Sequence, residues 1–254
     1  MYLKILNKLN RLNLKFKKLH LKFINNSSSL KSFFRSPYRS IKHSSYFNVY
    51  DHLFTSYKNK KIIFVEIGVF DGGSLFMWRD FFGPKARIIG IDINPNVKIF
   101  EKYGFEILIG NQEDKEFWKE FKNKIGKIDI LLDDGGHTYK QQIVTVESVI
   151  DNIKDGGIIV VEDTHTSYLK GYGSSKFTFI NYVKNLIDRI NNRFHQLNKK
   201  FLENKFWSIE IFESFVVFRI NKKALSVKSF PIKNNGKVLG ILENLNKEAQ
   251  SKNY

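Results

Sequence analysis

Two aliphatic runs that end in acids and a histidine constrain this chain more than any other feature. Leu131-Leu132-Asp133-Asp134-Gly135-Gly136-His137 is followed by Ile158-Ile159-Val160-Val161-Glu162-Asp163-Thr164-His165. An unbroken apolar run bounded by polar residues reads as a strand buried on both faces, which is the habit of a parallel sheet. Between the two runs lies Tyr139 to Asp155, a helix-length segment closed by Asp155-Gly156-Gly157. It gives room for a right-handed crossover that makes the strands neighbours. In such sheets ligands bind beyond the carboxyl ends of the strands, where these acids fall. Carboxylates gathered there repel one another unless a cation sits among them, and oxygen donors favour a hard ion such as Mg²⁺.

The same rhythm extends on either side. Strands are predicted at Ile62–Ile67, Ile88–Ile93, Phe105–Ile109, Ile128–Leu132 and Ile158–Val161, with helices at Gly73 to Phe82, Pro95 to Tyr103, Asp114 to Ile125 and Tyr139 to Ile153. Asn94-Pro95 supplies a cap and a first-turn proline for the second of these helices. A longer helical pattern runs from Ser174 to Phe194, and Trp207–Phe212 and Phe215–Ile220 alternate as a hairpin joined by Glu213-Ser214. The predicted fold is α/β: a Rossmann-like, doubly wound, mostly parallel seven-stranded sheet finished by an antiparallel hairpin.

At 254 residues the chain has length for one substantial core with a tail at each end. The expected division is a basic amphipathic helix and linker over 1–45, the sheet domain over 46–220 and a loosely ordered tail over 221–254. The absence of cysteine excludes disulfides and thiolate metal sites and suits a reducing cytoplasm. No apolar run reaches the roughly 18 to 20 residues that span a bilayer, and no signal-peptide pattern opens the chain. The net charge of +17 suggests nucleic acid until it is located. Residues 1 to 50 hold eleven of the 42 Lys and Arg and no acid, leaving 31 against 25, or +6, for the rest. Nucleic acid is therefore not the expected partner.

Tyr2, Ile5, Leu9, Leu12, Phe16, Leu19 and Phe23 form a heptad stripe on one amphipathic helix, widened by Leu3, Leu6, Leu14 and Leu21. It is expected to pack on another subunit, making a homo-oligomer, or on the protein's own body. The alternative is peripheral contact of residues 1–23 with the inner membrane surface. Asn25-Asn26-Ser27-Ser28-Ser29 reads as a hinge after it.

Glu66-Ile67-Gly68-Val69-Phe70-Asp71-Gly72-Gly73-Ser74 follows the first strand and opens a helix. Its glycines let backbone approach a ligand, but the spacing is not that of a dinucleotide site. Pyrophosphate disfavours the nearby acids Glu66 and Asp71, whereas S-adenosylmethionine has no phosphate and carries an ammonium and a sulfonium. Asp92, ending the second strand, is placed to bind two ribose hydroxyls, in an NAD site or an S-adenosylmethionine site alike. Asn111 and Gln112, ending the third, can reach an adenine.

With these motifs the chain resembles the class I S-adenosylmethionine-dependent methyltransferases. Within them it is similar to the metal-dependent sugar O-methyltransferases of macrolide and bacterial surface-polysaccharide type. Besides the glycine-rich turn, the likeness rests on Gly90-Ile91-Asp92-Ile93, Gly110-Asn111-Gln112, Asp133-Asp134-Gly135-Gly136-His137 and Glu162-Asp163-Thr164-His165-Thr166-Ser167-Tyr168. It spans roughly Tyr46 to Arg219. The resemblance implies S-adenosyl-L-methionine and Mg²⁺ as cofactors, Asp134, Glu162 and Asp163 as metal ligands and His137 as catalytic base. It implies cofactor contacts from Glu66, Gly68, Asp71, Gly72, Ser74, Asp92, Asn111 and Gln112, with Tyr46 and Tyr50 closing over the methionine end. Asn111 departs from the aspartate common at that position. Asp133 is expected on the cofactor side in a supporting role, since consecutive residues leaving a strand point opposite ways. His165 and Tyr168 are the substrate-side candidates, with a glycine-rich loop, Tyr168 to Ser175, as the expected selector of acceptor.

The chemistry suits these residue types. A sugar hydroxyl is scarcely ionised near neutral pH, so it needs both acidity and alignment to attack a sulfonium methyl, and a cation with a nearby imidazole supplies them. The implied substrate is a small-molecule or nucleotide-linked sugar, with capsule or other surface polysaccharide as the setting. The competing readings are a methyltransferase for a non-sugar acceptor, such as a phosphoryl-type group, a phenol or RNA, and a membrane-surface or scaffold protein with an inactive fold.

Overall fold

The computed structural model describes residues 26–173, 176–191, 205–227 and 230–236. The stripe of residues 2–23 lies outside them. Helix α1 (Ser28–Arg35) and α2 (Tyr46–Phe54) precede the alternating part of the chain. Then come β1 (Ile63–Ile67), α3 (Gly73–Phe82), β2 (Arg87–Asp92), β3 (Glu106–Ile109), α4 (Lys115–Ile125), β4 (Ile128–Asp133), α5 (Tyr139–Val149) and β5 (Ile153–Val161). Helix α6 (Phe179–Asn191), the hairpin β6 (Ser208–Phe212) and β7 (Phe215–Arg219), and the short α7 (Lys222–Ser226) complete them.

The seven strands lie in the order β3-β2-β1-β4-β5-β7-β6. β1 pairs in parallel with β2 and β4, and β5 with β4, while β7 runs antiparallel to both β5 and β6. The direction of winding reverses between β1 and β4, so a crevice opens beyond their carboxyl ends.

Side-chain alternation divides the core into two layers. Phe64, Ile130, Leu132, Ile158 and Val160 point to the face covered by α2 and α3, where Tyr50, Phe54, Trp78 and Phe82 pack. Val65, Leu131, Ile159 and Val161 point to the face covered by α4, α5 and α6, with Trp118, Val149 and Phe179. At the strand ends and just past them, the same parity sends Glu66, Asp134 and Glu162 toward the aromatic layer and Asp133 toward α5.

Five local expectations are corrected. Of the expected 25–29 hinge, the described residues instead lead into α1: Ser27 caps it by accepting from the Leu30 N–H, and Asp51 accepts from the Ser28 and Ser29 N–H groups at 2.8 and 2.9 Å. The Pro95–Tyr103 segment winds as a 3₁₀ helix, since its two buried residues, Val97 and Phe100, are spaced three apart. β5 begins at Ile153 rather than Ile158, because fully buried Ile153 pairs with Ile128 and an irregularity carries the strand through Gly156-Gly157. α6 begins at Phe179 because the Thr178 hydroxyl accepts from the Asn181 N–H at 3.1 Å. In the tail, Asn221 caps α7 where a loose chain was expected, while 230–236 has no regular structure. Among the described residues no helix is long and apolar enough to cross a membrane.

Candidate active site

A cavity of about 620 Å³ opens at the reversal point, lined by the β1, β2, β3 and β4 ends and by Arg39, Ser40 and Ile41 from the segment between α1 and α2. That volume is in the range of small-ligand sites. Of the cofactor-side candidates, Gly68, Asp71, Ser74, Asp92, Asn111 and Gln112 line it. Gly68 holds φ at +91°, and its α-carbon approaches the Asp134 backbone so closely that a Cβ would lie 2.1 Å from that carbonyl oxygen. Asp92 accepts from the N–H groups of Val69 at 2.8 Å, Phe70 at 3.2 Å and Asn94 at 2.9 Å, so it shapes the glycine-rich turn as well as facing the cavity.

The other cofactor-side candidates are placed differently. Glu66 is fully buried beneath the cavity, accepting from the Ser74 hydroxyl at 2.7 Å and the Trp78 indole at 2.9 Å. Burial pushes its carboxyl up to about 7 against the opposing pull of Lys42 and Ser74. Gln112 spends its amide on the protein: its Nε2 donates to Asp133 and to Thr145, and its Oε1 accepts from the Gly136 N–H at 2.9 Å. Asp133 is buried in that network and raised to about 6 by burial, partly offset by Gln112 and the Gly135 N–H. Gly72 lies against the Phe100 ring instead of the cavity. Asn111 closes a local turn by accepting from the Glu113 N–H, and Asp71 pairs with Arg39 at 2.7 Å.

The acids converge as the topology requires. Asp134, His137 and Asp163 line the cavity, with donor atoms within 4.8 Å of one another, and Nε2 of His137 is 3.6 Å from Asp163. Glu162 is buried just behind, its carboxylate accepting from the Tyr50 hydroxyl at 2.7 Å. Burial and Asp134 raise the Glu162 carboxyl well above its usual range, partly offset by Lys42. Tyr46 donates to Asp163, so both tyrosines hold acids rather than spanning the cavity rim. Phe70, His137 and Asp163 have φ of 51°, 59° and 56°, and all three line the cavity. Left-handed backbone at non-glycine residues is costly and collects at functional sites. His137 Nδ1 is also buried with no hydrogen-bond partner.

Of the substrate-side candidates, His165 meets Ser214 and lies 3.8 Å from Asp163, while Tyr168 is 77 % exposed and off the cavity. The Tyr172 carbonyl pins the following loop by accepting from the Tyr139 N–H at 2.8 Å. His43, which carried no sequence signal, joins Asp163 and His165 in a second group of donors within 4.8 Å.

Lys42 is the residue that sequence reasoning missed. Its side chain is 2 % exposed, and its ammonium donates to Asp134 and to Glu162, the latter at 3.0 Å. Burial alone would lower its pKa, but Asp134, Glu162 and Glu66 outweigh that and raise it, so the amine is charged. The three carboxyl groups fit a hard divalent ion by donor chemistry, and such an ion would hold Glu162 ionised against the burial that favours its protonated form.

Residues 65–164 match a family described as a methyltransferase domain. The chain is 31 % identical over 157 residues to mycinamicin VI 2''-O-methyltransferase of Micromonospora griseorubida, covering 57 % of this chain and 39 % of that one. It is 30 % identical over 157 residues to demethylmacrocin O-methyltransferase of Streptomyces fradiae, again covering 57 % and 39 %. The chain thus spans about two-fifths of these relatives' length. Among solved structures it resembles MycE methyltransferase of the mycinamycin pathway in complex with Mg, SAH and mycinamycin VI, with a TM-score of 0.66 and 25 % identity over 77 % of this chain and 53 % of that one.

Proposed function

We propose, from the match of residues 65–164 to a methyltransferase-domain family, that the chain transfers a methyl group from S-adenosyl-L-methionine to a sugar hydroxyl in a Mg²⁺-dependent reaction. The observation that carries the reading is the meeting of Asp134, Glu162, Asp163 and His137 beside the cavity at the sheet's reversal point. That the matched relatives are O-methyltransferases supports an oxygen acceptor. A small-molecule or nucleotide-linked sugar destined for capsule or other surface polysaccharide is the acceptor we favour. A homo-oligomer in the cytoplasm, with residues 1–23 touching a neighbouring subunit or the inner membrane surface, completes the proposal.

In this mechanism Gly68, Asp71, Asp92 and Asn111 bind the methyl donor along the β1 to β3 ends. Glu66, Gln112 and Asp133 hold that floor rigid. Asp134, Glu162 and Asp163 hold the cation, which when bound supplies the acidity and alignment that a sugar hydroxyl lacks. His137 accepts the hydroxyl proton at Nε2 as the oxygen attacks the sulfonium methyl carbon, and the adjacent Asp163 stabilises the imidazolium that forms. The carbon–sulfur bond breaks, leaving the demethylated donor and the O-methyl sugar. His165, beside Asp163, is placed to orient the acceptor.

His137→Ala tests the assignment. It should retain binding of S-adenosylhomocysteine and lose roughly 10²- to 10⁴-fold in turnover. A variant that turns over at the wild-type rate would remove His137 as base.

A further inference from the structure

Lys42 enters the site from an unusual direction. Its neighbours Ile41 and His43 are exposed, while its own side chain is buried between two acids and lies 5.8 Å from the centre of the Tyr50 ring. It belongs to the segment from Ser36 to Ser45, which has no helix or strand of its own. That segment is fastened to α3 and the turn before it at one end only: the Ser36 hydroxyl donates to the Gly73 carbonyl at 2.8 Å, the Gly73 N–H donates to the Arg39 carbonyl at 3.2 Å, and Arg39 pairs with Asp71. Beyond Arg39, the buried anchor is the Lys42 ammonium itself.

We propose that Lys42 is a built-in competitor for the metal. Its ammonium stands between Asp134 and Glu162 as their counter-ion, and a divalent cation binds there only when that ammonium leaves. The inference rests on the metal reading of this site given above. Two cations cannot share the gap between the same two carboxylates, since at such separations their repulsion in a poorly solvated site is large. The exchange is nevertheless favourable in direction. Asp134 and Glu162 contact the ammonium, with Glu66 close behind and Asp163 beside Asp134, so a doubly charged ion can hold ionised the acids that one ammonium cannot. The retracting side chain also has a short way to go, because its backbone is already at the surface. Arg39, Ser40 and Ile41 of the same segment line the cavity, so release of Lys42 reshapes the cavity wall as the metal arrives.

Calorimetric titration of MgCl₂ into the full chain and into Lys42→Met, without methyl donor or acceptor, tests this. The methionine keeps the stem's volume and removes the charge. Loss of the competitor's charge-assisted hydrogen bonds to the two acids should tighten Mg²⁺ binding roughly 10- to 100-fold. Equal or weaker binding by the variant overturns the inference while leaving the metal reading intact; failure of both proteins to bind Mg²⁺ overturns both. A second measurement needs no variant. Amine acetylation followed by peptide mass spectrometry should find Lys42 protected in EDTA and labelled at saturating Mg²⁺. Continued protection once calorimetry shows the metal site filled also overturns the inference.

Discussion

Glu66 offers a quantitative test of how the site is built. Its carboxyl is fully buried and carried up to about 7 by burial, against about 4.5 for the same group in an unfolded chain. An acid whose pKa rises on folding holds its proton more tightly in the folded state. The stability it contributes is present below pH 4.5 and is lost as pH rises through 7, because the unfolded chain ionises first. At about 1.36 kcal/mol per unit, the full difference is about 3 kcal/mol, of which about 2.5 kcal/mol falls between pH 5 and pH 8. Glu66→Gln removes the ionisation and keeps the hydrogen bonds: the amide oxygen can accept from Trp78, and the amide nitrogen can donate to the Ser74 hydroxyl. In urea unfolding without metal or methyl donor, the variant should lose about 2.5 kcal/mol of the wild-type decline between pH 5 and pH 8. Asp133, raised to about 6, should still contribute a decline of the same sign in both proteins. A variant whose stability falls with pH as steeply as the wild type refutes the reasoning.

Gly68→Ala should destabilise the fold by about 2 to 4 kcal/mol, since a Cβ meets the Asp134 carbonyl at a backbone angle that L-residues avoid. Thermal unfolding checks this, and a variant as stable as the wild type argues against so close an approach of β1 and β4. Asp92→Ala should weaken S-adenosylhomocysteine binding by about 1.5 to 3 kcal/mol. Calorimetry reads the loss, and unchanged affinity removes Asp92 from the donor site.

The sheet was legible because its signals are local. Strand runs, the Asn94-Pro95 start and the Glu213-Ser214 turn are each written in a few adjacent residues, and the parity of a strand end predicts which way an acid points. That parity sends Asp133 to Gln112 and Asp134 to Lys42, on opposite faces. Lys42 was illegible for the opposite reason. Eleven basic residues lie in the first fifty, and nothing in their spacing marks the one that docking of the Ser36–Ser45 segment buries. Gln112 and the tyrosine pair Tyr46 and Tyr50 show a related limit. Their positions near the site are readable in the sequence, but the partners of their polar atoms, Asp133, Asp163 and Glu162, are acids distant in sequence that no local pattern pairs with them. The serines at 27–29 were read as a hinge because the helix they open is held from outside, by Asp51 of α2.

The central claim is metal-dependent methyl transfer to a sugar. Transfer of an isotopically labelled methyl group from S-adenosylmethionine to a panel of nucleotide-linked sugars, in EDTA and again with Mg²⁺ restored, tests it most directly. The account predicts labelled O-methyl sugar with Mg²⁺ and none in EDTA. Full transfer after exhaustive chelation would contradict it and return Asp134, Glu162 and Asp163 to hydrogen-bonding roles around Lys42.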